Sequence, residues 1–382
     1  MLSRIIRIAA MLLGGALLLE GCVRQLDLDP AREGDPISFS AGSTLLRDDA
    51  TKAGEEPING ESFTEGSKFL VYGRRNTVTP LLFSGVNVTL GSSIWSYTEE
   101  AEPRQWDWSN DPVYYFLAVY RGNVNAQGRT YIPTPSNNGS ASPFAVTVDY
   151  SYNTAVNSTQ EQFDLMMGGK RRTYNDEYRT QPVGLQFEHM LAAVKVIIKN
   201  GSAENNPTAI YLTGYQFEHM VISGQAKVSF DNSGNPTYSW SNTNRLSTPI
   251  GVESGINQLL VKDNPETEDV HENTYESNHS HLMIPQLHTG QNGQNYPALV
   301  INYKVGSSSG ASKSARILLK DIQKGTESDL TNDYLTQWER GKKYVYTIKL
   351  DLDGGVIVTV TTTPWDAEIE AETPGLLLPV GY

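Results

Sequence analysis

Leu191-Ala192-Ala193-Val194-Lys195-Val196-Ile197-Ile198-Lys199 decides the fold class. Val194, Val196 and Ile198 fall on one side of an extended chain, while Lys195, Ile197 and Lys199 fall on the other. A period of two with one uniformly apolar side is the pattern of a strand that buries one face. Working outward, similar short runs recur at Lys68 to Tyr72, Val113 to Tyr120, Phe144 to Tyr150, Ala298 to Val305, Ala315 to Lys320, Lys343 to Leu350 and Val356 to Thr361. Gly, Asn, Ser and Pro punctuate them. The chain has no long amphipathic helical pattern and no alternation of strand with helix, which disfavours a parallel α/β enzyme scaffold. The expectation is an all-β protein of antiparallel sheets, arranged as two β-sandwich domains in tandem.

The basic, polar stretch from Lys170 to Pro182 marks a domain boundary, because apolar density rises abruptly at Val183. The expected organisation is a leader over 1–21, a polar tether over 22–36, an N-terminal domain over 37–182 and a C-terminal domain over 183–382. Gln-Phe-Glu-His-Met occurs at Gln186 to Met190 and again at Gln216 to Met220, too short a match to establish a repeat. Asp231 to Ile256 and Lys262 to His281 are rich in polar residues and read as long surface loops.

Charged residues make up 19% of the 382 residues and hydrophobic ones 38%, with 33 Gly and 19 Pro, as in a folded, turn-rich globular protein. A formal net charge of −13 argues against nucleic acid as a partner, since phosphate binding needs clustered Lys and Arg. The single cysteine excludes an intramolecular disulfide framework and a Cys-rich metal site. Its position carries the information. Arg4 and Arg7 precede an apolar stretch from Ile8 to Leu19, the layout of a signal peptide. Leu19-Glu20-Gly21-Cys22 then resembles a bacterial lipobox, with Glu20 where a small residue is usual. Acylation at Cys22 would hold the protein on a membrane surface without a spanning helix.

Several constellations suggest chemistry and none amounts to an enzyme. Gly306-Ser307-Ser308-Ser309-Gly310 matches a nucleophile elbow, but a strand rather than a helix is expected after Ser308, so a hairpin loop is the simpler reading. His271, His279, His281 and His288 lie close together beside Glu272 and Glu276, with no spacing known for zinc, and read as a polar loop. Trp106-Asp107-Trp108 and Tyr114-Tyr115-Phe116 form an aromatic-rich region that could stack on sugars, although such rings more often fill cores. No metal and no cofactor is expected.

Taken together, several segments resemble the fimbrillin family of lipoprotein-derived pilus subunits from Gram-negative anaerobes. They are the signal ending at Cys22; Ile37-Ser38-Phe39-Ser40 with Thr51-Lys52-Ala53; Phe69-Leu70-Val71-Tyr72; Asp164-Leu165-Met166-Met167; Val183-Gly184-Leu185-Gln186-Phe187-Glu188-His189-Met190-Leu191-Ala192-Ala193-Val194; Leu282-Met283-Ile284-Pro285-Gln286; Trp338-Glu339-Arg340-Gly341-Lys342-Lys343-Tyr344; and Pro364-Trp365. The resemblance implies two transthyretin-like β-sandwich domains, other fimbrial subunits as partners, and adhesion at the outer membrane and in the fimbrium rather than catalysis. It also implies assembly by donor strand exchange: a lipidated precursor is cut after an arginine, its first strand leaves, and a strand of another subunit fills the groove.

On that reading Arg47 is the best cleavage site, lying between the β-type stretch Ile37 to Leu46 and a polar segment. Arg24 and Arg32 are alternatives that would free the tether without removing a strand. The apolar tail Gly375 to Tyr382 follows an acidic stretch, Asp366 to Glu372, and is the candidate donor. Leu376, Leu378 and Val380 would be its inward side chains; the alternative is a last strand folded onto its own domain. A surface glycan-binding lipoprotein, and a non-polymerising fimbrial anchor or tip, are the competing functions.

Overall fold

A computed structural model describes residues 36–43, 63, 65–76, 80–92, 94–97, 104–120, 133–136, 144–152, 164–174, 181–201, 208–245, 247, 249–260, 274–277, 280–289, 295–322, 334–351, 355–364 and 376–378. The strands of the first half are β1 (Phe39–Ser43), β2 (Lys68–Arg75), β3 (Phe83–Leu90), β4 (Trp95–Ser96), β5 (Val113–Tyr120), β6 (Thr134–Ser136), β7 (Ala145–Ser151), β8 (Met166–Thr173) and β9 (Val183–His189). Then follow β10 (Ala192–Asn200), β11 (Ile210–Glu218), β12 (Val221–Phe230), β13 (Pro236–Arg245), β14 (Ile250–Leu260), β15 (Tyr275–Glu276), β16 (His281–Met283), β17 (Gln286–Leu287) and β18 (Ala298–Val305). The last are β19 (Ser312–Leu318), β20 (Gln337–Trp338), β21 (Lys342–Asp351), β22 (Gly355–Pro364) and β23 (Leu376–Leu378). Among the described residues the only helical element is a single 3-10 turn, Leu319–Asp321.

The protein is all-β, as its alternating runs imply. A seven-stranded sheet has the order β1-β9-β8-β5-β2-β3-β4, and a four-stranded sheet, β13-β12-β7-β6, packs on one of its faces. The second half pairs a sheet of order β15-β10-β21-β22-β23, with β16 also on β10, against a four-stranded sheet of order β14-β11-β18-β19. The central strands β2 and β5 are buried on both faces, which is why Val113 to Tyr120 reads as a nearly continuous apolar run. Leu70, Tyr72, Leu117 and Val119 face the four-stranded sheet, while Phe69, Val71, Phe116 and Ala118 face an aromatic core on the opposite side.

Two pairings are parallel, β1 with β9 and β10 with β21. Each joins strands distant in sequence, where no tight turn forces the antiparallel direction.

The expected boundary at 182/183 does not separate the sheets. Strand β9 begins at Val183 and extends the first sheet, and β12 and β13, also beyond residue 183, belong to the sheet of β7. The chain therefore passes between the halves after β9, after β11 and after β13. Both copies of Gln-Phe-Glu-His-Met end at such a crossing. Phe187 and Phe217 are buried, Glu188 pairs with Arg340 at 2.7 Å, and Glu218 pairs with Arg316 at 3.1 Å. The expected loop over Asp231 to Ile256 is corrected as well: it contains β13 and the first part of β14. Both are outer strands, with Thr237, Ser239 and Ser241 of β13 and Ser254, Gly255 and Asn257 of β14 exposed, and the apolar alternation is too sparse to read.

Candidate functional site

The site begins at β1, the outermost strand of the seven-stranded sheet. Exposure alternates through the segment that leads into it, with Ile37 and Phe39 buried and Pro36, Ser38 and Ser40 exposed. The Phe39 ring meets Phe83 at 5.2 Å, Phe116 at 5.7 Å and Tyr97 at 5.9 Å, each edge-on. Such packing adds about 0.5–1.5 kcal/mol per pair to the value of burial. On one side β1 is held by a five-residue parallel ladder to β9, Phe39 opposite Val183 through Ser43 opposite Phe187. On the other side Tyr97, just after β4, donates its hydroxyl to the Ile37 carbonyl at 2.7 Å, and Ile37 N donates to the Arg104 carbonyl at 2.8 Å. The two outer strands β1 and β4 are thereby drawn together, and the sheet curls around the aromatic core.

Without β1 this region would be a groove. Its walls would be Val183, Leu185 and Phe187 of β9 and the rings of Trp95 and Tyr97, with Phe83 and Phe116 beneath. The end where β1 begins is rich in guanidinium groups. Arg104 stands 4.7 Å over the Phe83 ring, Arg172 donates to the Pro182 carbonyl at 3.1 Å, and Arg75 pairs with Asp107 at 2.9 Å. Burial pushes the Tyr97 phenol pKa up, and the Arg104 charge pulls against that rise. At the opposite end lie Glu188, paired with Arg340, and Asp164, paired with His189.

The expected site residues are distributed as follows. Cys22, Arg47 and Val380 lie outside the described residues. Leu376 and Leu378 belong to β23, which pairs antiparallel with β22 of the same chain, Val358 opposite Leu376 and Val356 opposite Leu378. Trp106 and Trp108 are 1% and 8% exposed and stack on each other at 5.0 Å inside the aromatic core, so they offer no platform to a sugar. Ser308 lies between β18 and β19, two strands, rather than at a strand-to-helix turn. His271 and His279 are outside the described residues. His281 is buried with Nε2 2.8 Å from the Tyr215 hydroxyl, and His288 is buried with Nδ1 2.7 Å from the Leu335 carbonyl.

Beside His281, Tyr275 donates to the buried Glu253 carboxylate, and burial, reinforced by the Glu253 charge, drives the Tyr215 pKa well up. These four side chains come from β11, β14, β15 and β16 and tie the two sheets of the second half together at their edge. Sequence reasoning did not find Arg104, Arg172 or Tyr97. The only available signal was the alternation of Val183, Leu185 and Phe187, which the boundary at 183 assigned to the other domain.

A sequence profile described as fimbrillin-like matches residues 51–365. The chain belongs to the fimbrillin-like family. The family is one of fimbrial, surface-displayed structural proteins, so the fimbrillin-like chain is not an enzyme. Among solved structures, a fimbrial protein of Bacteroides vulgatus is similar at 15% identity and a TM-score of 0.50, covering 79% of this chain and 93% of its own. A fimbrilin of Porphyromonas gingivalis is similar at 12% identity and a TM-score of 0.44, covering 87% of this chain and 98% of its own. No curated protein matches this fimbrillin-like sequence.

Proposed function

We propose that the chain is a pilus subunit exported as a precursor lipidated at Cys22, held at the outer membrane, cut after Arg47 and assembled by strand exchange into adhesive fimbriae. The two halves are read as transthyretin-like sandwiches interlocked by strand crossings. The observation that carries the proposal is the position of β1, an outer strand with one backbone ladder whose Phe39, with Ile37 just before it, nevertheless fills an aromatic core. Arg47 follows the last residue of β1 by only a few positions, so a cut there detaches the strand and everything before it, the lipid included. Loss of β1 exposes apolar side chains and an unpaired strand edge, a combination that favours addition of another strand.

The donor in this reading is the tail of another subunit, with Leu376, Leu378 and Val380 turned inward. In its own chain β23 is a three-residue edge strand, so few hydrogen bonds oppose its release. The test is to treat the mature precursor with a trypsin-like protease and follow mass and oligomeric state. Polymers should appear on loss of residues through Arg47 and vanish when 375–382 are deleted. Cleavage without polymers sinks the stalk reading in favour of an anchor or tip subunit.

A further inference from the structure

The strand-exchange reading leaves open which way the incoming strand runs. We infer that the C-terminal segment of a second copy enters the β1 groove parallel to β9, guided by its acidic stretch to the arginines at the end where β1 begins. This inference rests on the proposed exchange and adds its direction, register and electrostatic latch.

Two sequences of like pattern would occupy the same groove. Glu33-Gly34-Asp35-Pro36 precedes Ile37-Ser38-Phe39-Ser40-Ala41, and Glu370-Ala371-Glu372-Thr373-Pro374-Gly375 precedes Leu376-Leu377-Leu378-Pro379-Val380. Each is a pair of carboxylates, then a proline, then a strand with apolar residues at alternate positions. Superposed in the same direction, Leu376 takes the place of Ile37, Leu378 that of Phe39 and Val380 that of Ala41, with nearly the same apolar bulk. Pro379 falls at the outward-facing position of Ser40 and forgoes one ladder hydrogen bond.

Charge favours the same direction. Asp366, Glu368, Glu370 and Glu372 all precede the tail's strand. In the parallel direction they lie at the end carrying Arg75, Arg104 and Arg172, where Asp107 and Asp111 are the nearby carboxylates in the same loop. In the reverse direction they would meet the end bearing Asp164, Glu188 and Glu65, with Lys68, His189 and Arg340 as the cations there. Three guanidinium groups outnumber two carboxylates at the first end, whereas carboxylates and cations balance at the second, so the parallel direction alone gives the acidic stretch a net attraction that accelerates docking.

The test uses the full mature precursor, cleaved in solution. Arg104→Glu with Arg172→Glu should slow polymerisation about tenfold or more at low ionic strength, and far less in molar salt. Adding Glu370→Lys and Glu372→Lys to the same chain should restore the rate. Equal melting temperatures of the uncleaved variants would exclude misfolding; should the glutamates unfold the protein, Arg104→Gln with Arg172→Gln carries the same test. The direction is read from cysteine pairs in cleaved polymers. Leu378→Cys with Val183→Cys should cross-link between subunits, and Leu376→Cys with Phe187→Cys should not. An unchanged rate on charge reversal, or cross-linking of the second pair alone, overturns the inference while leaving strand exchange intact. Polymers that persist without 375–382 would instead sink the exchange reading itself.

Discussion

Phe39 lies directly opposite Val183 in a parallel ladder, so the first described strand is joined to the ninth and to no strand near it in sequence. A segment attached in this way contributes side chains to a core while sharing few backbone bonds with the rest. The core and the ladder can therefore be perturbed separately.

Phe39→Ala should destabilise the uncleaved precursor by about 3–5 kcal/mol, the cost of deleting a fully packed phenylalanine from a core. Denaturant unfolding of precursor and variant measures it. In the protein cut after Arg47 the same substitution should have no effect on polymer stability, because the strand has gone. An effect of equal size in both forms would contradict the exchange.

Gly168→Ala tests the wall of the groove. A Cβ at Gly168 would come within 2.5 Å of the Gln186 carbonyl oxygen, a backbone atom of β9 that cannot swing away. The β8–β9 ladder must spread to accept it. A loss of about 1–3 kcal/mol is expected, as for other overpacked interiors, together with faster hydrogen exchange in β9.

Trp240→Phe tests the first crossing between the halves. The indole nitrogen of Trp240 donates to the Met190 carbonyl at 2.6 Å, in the short link between β9 and β10. Removing that donor while keeping an aromatic ring should cost about 0.5–1.5 kcal/mol. Proteolysis between 189 and 192 should become easier, which limited digestion followed by mass spectrometry detects.

Alkaline pH should weaken the second half. Burial pushes the Tyr344 phenol, whose oxygen accepts a hydrogen bond from Glu339 N, up to about 12. A phenol raised above its unfolded value near 10 holds its proton longer in the folded state. Its stabilisation is complete below pH 10 and is lost as pH climbs from 10 towards 12. Tyr344→Phe should flatten this decline. Denaturant titrations at stepped pH, with tyrosinate absorbance followed in parallel, measure both.

Strands in the middle of sheets were legible in the sequence. Ala298 to Val305 and Val113 to Tyr120 coincide with β18 and β5, because neighbours on both sides force apolar side chains into long runs. Outer strands were not. In β13 the partly buried aromatics Tyr238 and Trp240 alternate with Thr237, Ser239 and Ser241, which face water, a pattern equally suited to a loop. The parallel ladder between β1 and β9 left no trace either, since parallel partners distant in sequence share no turn to announce them. The arginines at the start of β1 come from separate segments and meet only through the curl of the sheet.

The three passages of the chain between its halves also bear on mechanics. A fibre on a cell surface is stretched by flow, and a subunit whose halves were joined by one linker would extend or swivel under tension. Here three backbone spans share the pull side by side. The spans after β9 and after β11 are two residues each, so neither can lengthen far until hydrogen bonds inside a sheet give way, and the two halves should resist tension as a stiff rod rather than as a hinge.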